Sequence, residues 1–190
     1  ITTKKAKAGK SEITYEFYYG FQKPLKTFDM MDGAQYLELN RNAARGNNTY
    51  PTDGSVNLND DLKILKYKDS YVEESIRMAY DEAGNYDPSK VRSFDWADAA
   101  LQTGTIMSHQ VSFTGGNDKS KVMVSAGYFK NEGIVIGQDY ERLSFRVNAE
   151  YEITKWLKAG GSTAFTQGIK NSGLDSYSYS LQMNPLSIPR

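Results

Sequence analysis

The chain has 190 residues and no net charge, with 23 Lys+Arg against 23 Asp+Glu, no cysteine and one histidine. Charge balance argues against a nucleic-acid surface, which needs a basic excess; the missing cysteines exclude disulfides and thiolate chemistry, and the lone His109 excludes a multi-histidine metal site. Mean hydropathy is −0.62, no apolar run approaches the roughly 18 residues of a membrane helix, yet aromatics reach 13%, mostly as 14 tyrosines.

The opening Ile1-Thr2-Thr3-Lys4-Lys5-Ala6-Lys7 is basic and polar, unlike a signal peptide. Residues 12–21 alternate with period two: Ile13, Tyr15, Phe17, Tyr19 and Phe21 share one face, and Glu12, Thr14, Glu16, Tyr18 and Gly20 the other. That is the mark of a two-faced strand. The next strand comes only at residue 107, and residues 22–106 are too long to be structureless. Asp32 with Gln35 three residues later forms a capping box for a helix from residue 33, with Met31 and Tyr36 as its staple. Tyr36, Leu39 and Ala43 continue its face, and Gly46-Asn47-Asn48 ends it. A second helix is predicted after Asn59, with Asp60 and Asp61 at its positive end and Leu62, Leu65, Val72, Ile76, Ala79 and Ala83 recurring at helical spacing up to Gly84-Asn85.

Four further alternating segments follow. Residues 107–114 put His109, Val111 and Phe113 on one face. Residues 121–130 put Val122, Val124, Ala126 and Tyr128 there, with Lys121, Ser125 and Gly127 opposite. In 142–153, Leu143, Phe145, Val147, Ala149, Tyr151 and Ile153 oppose Arg142, Ser144, Arg146, Asn148, Glu150 and Glu152. Residues 157–167 are weaker, with Leu157, Ala159 and Phe165 against Lys158, Ser162 and Thr166. Connections at 115–120 and 154–156 are short, 131–139 is longer, and 22–106 and the tail after Gln167 are long. In an up-and-down meander one end then carries tight turns and the other long loops.

Such strands fit a soluble antiparallel sheet on a core, or a transmembrane barrel facing lipid outside and water inside. Three features favour the barrel: a heavily charged second face, aromatics near strand ends where membrane meets water, and the asymmetry of turn lengths. Glu12, Glu16, Arg142, Arg146 and Glu150 are then lumen-facing. Five strands cannot close a barrel whose smallest bacterial form has about eight, and an open edge in hydrocarbon leaves backbone groups unpaired. The barrel reading therefore predicts a longer chain.

The motifs also carry a family resemblance. Ile1-Thr2-Thr3-Lys4-Lys5, then Tyr18-Tyr19-Gly20-Phe21-Gln22, resembles the plug–barrel junction of SusC/RagA-type TonB-dependent outer-membrane transporters. In the same order, Met31-Asp32-Gly33-Ala34-Gln35-Tyr36-Leu37-Glu38-Leu39 resembles the helix of the family's first long loop, and Asp95-Trp96 with Asp98 the element closing it. His109-Gln110-Val111-Ser112-Phe113-Thr114-Gly115-Gly116-Asn117 and Ser125-Ala126-Gly127-Tyr128-Phe129-Lys130-Asn131-Glu132-Gly133 resemble the next hairpin, and Arg142-Leu143-Ser144-Phe145-Arg146-Val147-Asn148 the fourth strand. The resemblance implies an all-β fold with a helical loop insertion, its antiparallel strands forming part of a roughly 22-stranded transmembrane β-barrel. Residues 1–10 would be the end of the plug and its link; 11–190 would be the N-terminal part of the barrel, with 22–106 a long extracellular loop. It implies a non-enzymatic outer-membrane importer of oligosaccharides or peptides. Its partners would be a SusD-like surface lipoprotein, TonB acting through the plug, and outer-membrane lipid.

No catalytic, cofactor or metal constellation is legible. Gly115-Gly116-Asn117-Asp118-Lys119-Ser120 lacks phosphate-loop spacing, and the oxygen-rich Asp53–Asp61 stretch puts Leu58 and Ile64 where an EF-hand needs glycine and glutamate. His109 reads as an interfacial structural residue. Glu12 and Glu16 read as salt-bridge partners of Arg142 or Arg146. Trp96 reads as a loop anchor that is also a contact candidate. Aromatic loop side chains suit sugar or peptide contacts, making Tyr50, Tyr71, Tyr177 and Tyr179 candidates by type and position, with ordinary loop packing as the alternative. A soluble carbohydrate-binding β-domain with a helical insertion is the competing reading. It requires the apolar strand faces to be buried in one core.

Overall fold

The computed structural model describes residues 11–25, 27–65, 70–173 and 176–189. Residues 1–10, expected to hold the plug end and its link, lie outside the described residues. The chain forms two compact units, one built from strands and one from helices.

The strand unit contains β1 (Glu12–Gln22), β2 (Gly104–Gly116), β3 (Ser120–Glu132), β4 (Asp139–Thr154) and β5 (Leu157–Asn171). They form one antiparallel sheet in the order β1-β2-β3-β4-β5. All five alternating segments are strands, each longer than its alternation alone marked. The turns explain why the register is fixed. At the β2–β3 turn, Asn117 Oδ1 accepts from the backbone N–H groups of Lys119 at 2.9 Å and Ser120 at 2.7 Å, a side-chain mimic of a backbone turn. At the β4–β5 turn, Thr154 Oγ1 accepts from Leu157 N at 3.0 Å, and the ladder shifts register between Glu152 and Thr154. The β3–β4 loop closes through Gly133 N to Gln138 O at 2.7 Å, with Gly137 at φ +82°, a conformation that favours glycine.

The helical unit contains α1 (Gly33–Gly46), α2 (Leu58–Leu65), α3 (Ser70–Arg77), the short α4 (Trp96–Ala99) and α5 (Ser176–Ser180). The capping box forms: Gln35 N donates to Asp32 Oδ1 at 2.8 Å and Asp32 N to Gln35 Oε1 at 3.1 Å. The helix ends at Gly46, and Asn48 follows at φ +52°. Its buried face differs from the expected one. Gly33, Leu37, Arg41 and Ala44 are buried, whereas Leu39 is half exposed and Ala43 lies outside. An apolar pattern cannot show this, because the charged Arg41 is part of the core face.

The predicted second helix also differs. Helix is formed over α2 and α3, and residues 66–69 lie outside the described residues. It ends at Arg77 rather than continuing to Ala83, which is exposed beside Gly84 at φ +83°. The chain instead turns back, with Asp87 N donating to Ala79 O at 2.8 Å and Tyr80 bridging Tyr86. That turn brings both tyrosines to Arg41.

The unit's core is Leu37, Leu65, Val72, Ile76 and Leu186. Leu186 comes from the tail after Gln167, a long connection for which the sequence predicts no element. Ser75 Oγ donates to Leu186 O at 2.9 Å, and Phe94 N to Pro185 O at 2.9 Å. Asn184 shapes the approach by accepting from Leu186 N through its own Oδ1 at 3.0 Å.

Candidate functional site

The register places every expected apolar stripe on one face of the sheet. Phe17 lies opposite His109, His109 opposite Tyr128, and Tyr128 opposite Leu143. One row on, Tyr15, Val111, Ala126, Phe145 and Phe165 align across all five strands. These side chains are not covered: Ile13 is 74% exposed, Phe17 56%, Leu143 52% and Phe165 56%. His109 is held within this face. The Tyr15 hydroxyl and His109 Nδ1 are hydrogen-bonded at 2.7 Å, and the Phe17 ring lies 4.7 Å away, centroid to centroid.

At the long-loop end the same face turns polar in two rows. Lys130 pairs with Glu132 at 3.2 Å and Glu141 at 3.6 Å, Thr105 donates to Glu132 at 2.7 Å, and Asn171 Nδ2 donates to both Asp139 oxygens. Beside them on β1 stand Tyr19 and Phe21, packed edge-to-face at 5.2 Å. At the other end lie Tyr151 and the turn residue Trp156, 83% exposed. The apolar band is therefore bounded at both ends by polar or amphipathic groups. These rows lie beyond the alternating segments 121–130 and 142–153: β3 runs on to Glu132 and β4 already begins at Asp139, within the expected loop 131–139.

Glu12, Glu16, Arg142, Arg146 and Glu150 all fall on the opposite face, as their positions in the register require. The expected salt bridges from Glu12 or Glu16 to Arg142 or Arg146 do not form. β2 and β3 lie between β1 and β4, a separation of roughly 14 Å at about 4.8 Å per strand. Glu16 instead faces Gln110, and Glu12 faces Thr114. Arg142 sits 5.3 Å over the Phe129 ring, Glu152 pairs with Lys158 at 3.3 Å, and Glu150 stands opposite Lys121.

In the helical unit the ligand candidates divide by burial. Tyr179 is 66% exposed, and Tyr71 and Tyr177 are half-buried. Trp96 follows Asp95, whose side chain caps α4, and its Nε1 donates to Ser187 O at 2.9 Å and Asn184 O at 3.2 Å. It fastens the tail to the loop. Tyr50 is 5% exposed and turned inward, where its hydroxyl donates to Asp61 Oδ1 at 2.7 Å. The group a ligand would use is committed internally.

Asp61 is the centre of a network that sequence spacing did not reveal. Arg41 donates to it twice, Nε to Oδ1 at 2.9 Å and Nη2 to Oδ2 at 2.7 Å, and the Tyr80 hydroxyl donates to Oδ2 at 2.6 Å. The Tyr86 ring lies 4.1 Å from the guanidinium. Arg41 and Asp61 are 1% and 0% exposed. Burial alone would lower Arg41, but the Asp61 hydrogen bonds and charge outweigh it and raise the guanidinium above its ordinary value. Burial, then the Asp61 bond and charge, push Tyr50 up to about 12 and Tyr80 higher still. Four donors saturate the carboxylate, so it is locked as a structural acceptor. Asp53 and Asp60, the other carboxylates of that stretch, accept from Ser55 N and Asn57 Nδ2.

No family model matches the sequence. The chain is 28% identical over 160 residues to TonB-dependent receptor P3 of Formosa agariphila, covering 84% of this chain and 12% of that protein. TonB-dependent receptor P26 of the same organism is 30% identical over 99 residues, 52% of this chain and 10% of that protein. Among solved structures, a chain of the RagAB peptide transporter matches at TM-score 0.63 and 26% identity, over 90% of this chain and 19% of that one. A chain of the RagAB peptide importer in its open-open state gives the same TM-score at 25% identity. The resemblance to SusC/RagA-type TonB-dependent transporters, carried by the ordered motifs, is borne out in sequence and in fold. This chain spans about an eighth of the length of TonB-dependent receptor P3.

Proposed function

We propose that these residues are the N-terminal part of the roughly 22-stranded barrel of an outer-membrane importer, with residues 1–10 the end of its plug and 22–106 an extracellular loop. The observation that carries the proposal is the uncovered apolar face shared by all five strands. The soluble alternative requires that face to be buried in one core, and it is not. Its height is also right. Leu143 to Ile153 covers about 34 Å at roughly 3.4 Å per residue, and a strand tilt near 45° reduces this to about 25 Å, the apolar band of outer-membrane barrels. The free edges of β1 and β5 are then paired by further strands, as hydrocarbon demands.

In this reading lipid covers the apolar face, and the plug faces the polar one. TonB acts through the plug, and a SusD-like surface lipoprotein meets the long loops together with the oligosaccharide or peptide. RagAB, to which the fold is similar, is a peptide importer, which supports the peptide class. Expression of the complete gene tests this. The protein should sediment with outer membranes, require detergent for extraction and migrate faster on gels when unheated than when boiled. Recovery in the soluble fraction would refute it.

A further inference from the structure

The polar face of the sheet holds a cavity of about 170 Å³ whose lining includes Gln110, Ser125, Gly127, Ser144, Arg146 and Thr166. That is well below the roughly 300–1,000 Å³ of pockets enclosing a whole small molecule, so it suits one side-chain-sized group. Its depth comes from Gly127. A Cβ there would lie 2.9 Å from Ser144 Oγ and fill the floor. Its chemistry comes from Arg146. The cross-strand neighbours of Arg146 are Ser125 and Ala164, both neutral, and no carboxylate among the described residues pairs with it. Other cations of this face are placed differently, Arg142 over Phe129 and Lys158 on Glu152.

We propose that this cavity is a carboxylate-binding site, with Arg146 as its cation and the surrounding hydroxyls and the Gln110 amide as further hydrogen-bonding groups. A guanidinium presents two parallel donors that match a carboxylate, and a single cation balances one negative charge rather than a doubly charged phosphate. The inference rests on the barrel reading in one respect: once the lumen is filled, an unpaired Arg146 would lose its hydration with no counter-charge in exchange, which is strongly unfavourable. Whatever covers it must bring the counter-charge. The plug is that cover, so an acidic plug side chain is the occupant.

The test uses the full-length receptor in detergent micelles, as wild type, Arg146→Gln and Arg146→Lys. Slower migration of boiled than of unheated protein first establishes that a barrel is present. If no form shows it, the barrel reading and this inference fail together. Given a barrel, a plug carboxylate predicts that Arg146→Gln lowers the urea midpoint of plug detachment, with Arg146→Lys recovering most of the loss. A carboxylate from solution predicts an unchanged midpoint and a titration with N-acetylglutamate that Arg146→Gln weakens at least tenfold; this upholds the site but reassigns its occupant. An Arg146→Gln protein indistinguishable from wild type in both assays overturns the proposal while leaving the barrel intact.

Discussion

Asp61 shows how much one residue can decide. It accepts from Arg41, Tyr50 and Tyr80 inside the helical unit. Removing one partner of a buried pair leaves an uncompensated charge, which costs about 3–5 kcal/mol. Arg41→Leu is therefore expected to expose α1 and α2 to limited proteolysis. The double replacement Arg41→Met with Asp61→Leu, which buries no charge, should regain much of the resistance. Equal sensitivity of the single and double variants would contradict the account. Alkaline pH acts on the same network. Tyr50 is pushed up to about 12 in the fold against about 10 in an open chain. A raised value means that the folded state holds the proton more tightly, so this stabilisation is complete below pH ~10 and is lost as pH rises toward 12. The difference in tyrosinate absorbance between wild type and Tyr50→Phe should appear near pH 12. Its appearance near pH 10 would show an exposed hydroxyl. Gly33 gives a packing test: a Cβ there would lie 2.8 Å from Arg92 O and 2.9 Å from Leu186 Cδ2. Because a backbone carbonyl yields little, Gly33→Ala should destabilise the unit by about 1–3 kcal/mol, read as a lower melting temperature of its helical signal.

The strands were the most legible elements, because alternation survives wherever the two faces meet different media. Val147 lies between Val124 and Thr163 in the middle of the apolar face. Val147→Arg is expected to cost about 2–4 kcal/mol at the bilayer midplane, seen as a lower urea midpoint for the barrel. The same change at Asn148, on the polar face, should cost far less. The helices were harder to read. The capping box located the start of α1, because that signal lies in local spacing. The face of α1 was misread at Leu39 and Ala43, because its core includes an arginine whose partner lies at position 61. Ion pairs between distant positions leave no periodic trace. The same limit produced the unrealised pairing of Glu12 or Glu16 with Arg142 or Arg146: charges on the polar face share that face, yet the strand order keeps them apart. The role of the tail was invisible for a related reason, since Leu186 enters the core through one side chain in an irregular segment.

For the whole molecule, balanced charge and modest hydropathy average over surfaces that meet different surroundings. One face of the sheet carries an uncovered apolar band that ends in ion-paired rows at the long-loop end, the other carries most of the strand charge, and the helical unit has a small core of its own. The central claim is that the apolar face lies against lipid. Single cysteines at Leu143, Phe145, Val147 and Ala149, and at Arg142, Ser144, Arg146 and Asn148, test it most directly. They would be introduced into the full-length protein cleared of other reactive thiols and reconstituted in vesicles. Probes at the first four sites should be quenched by a lipid-bound quencher and shielded from a water-soluble one, and those at the other four should show no lipid quenching. Loss of this alternation, with both sets equally open to water, would contradict the account.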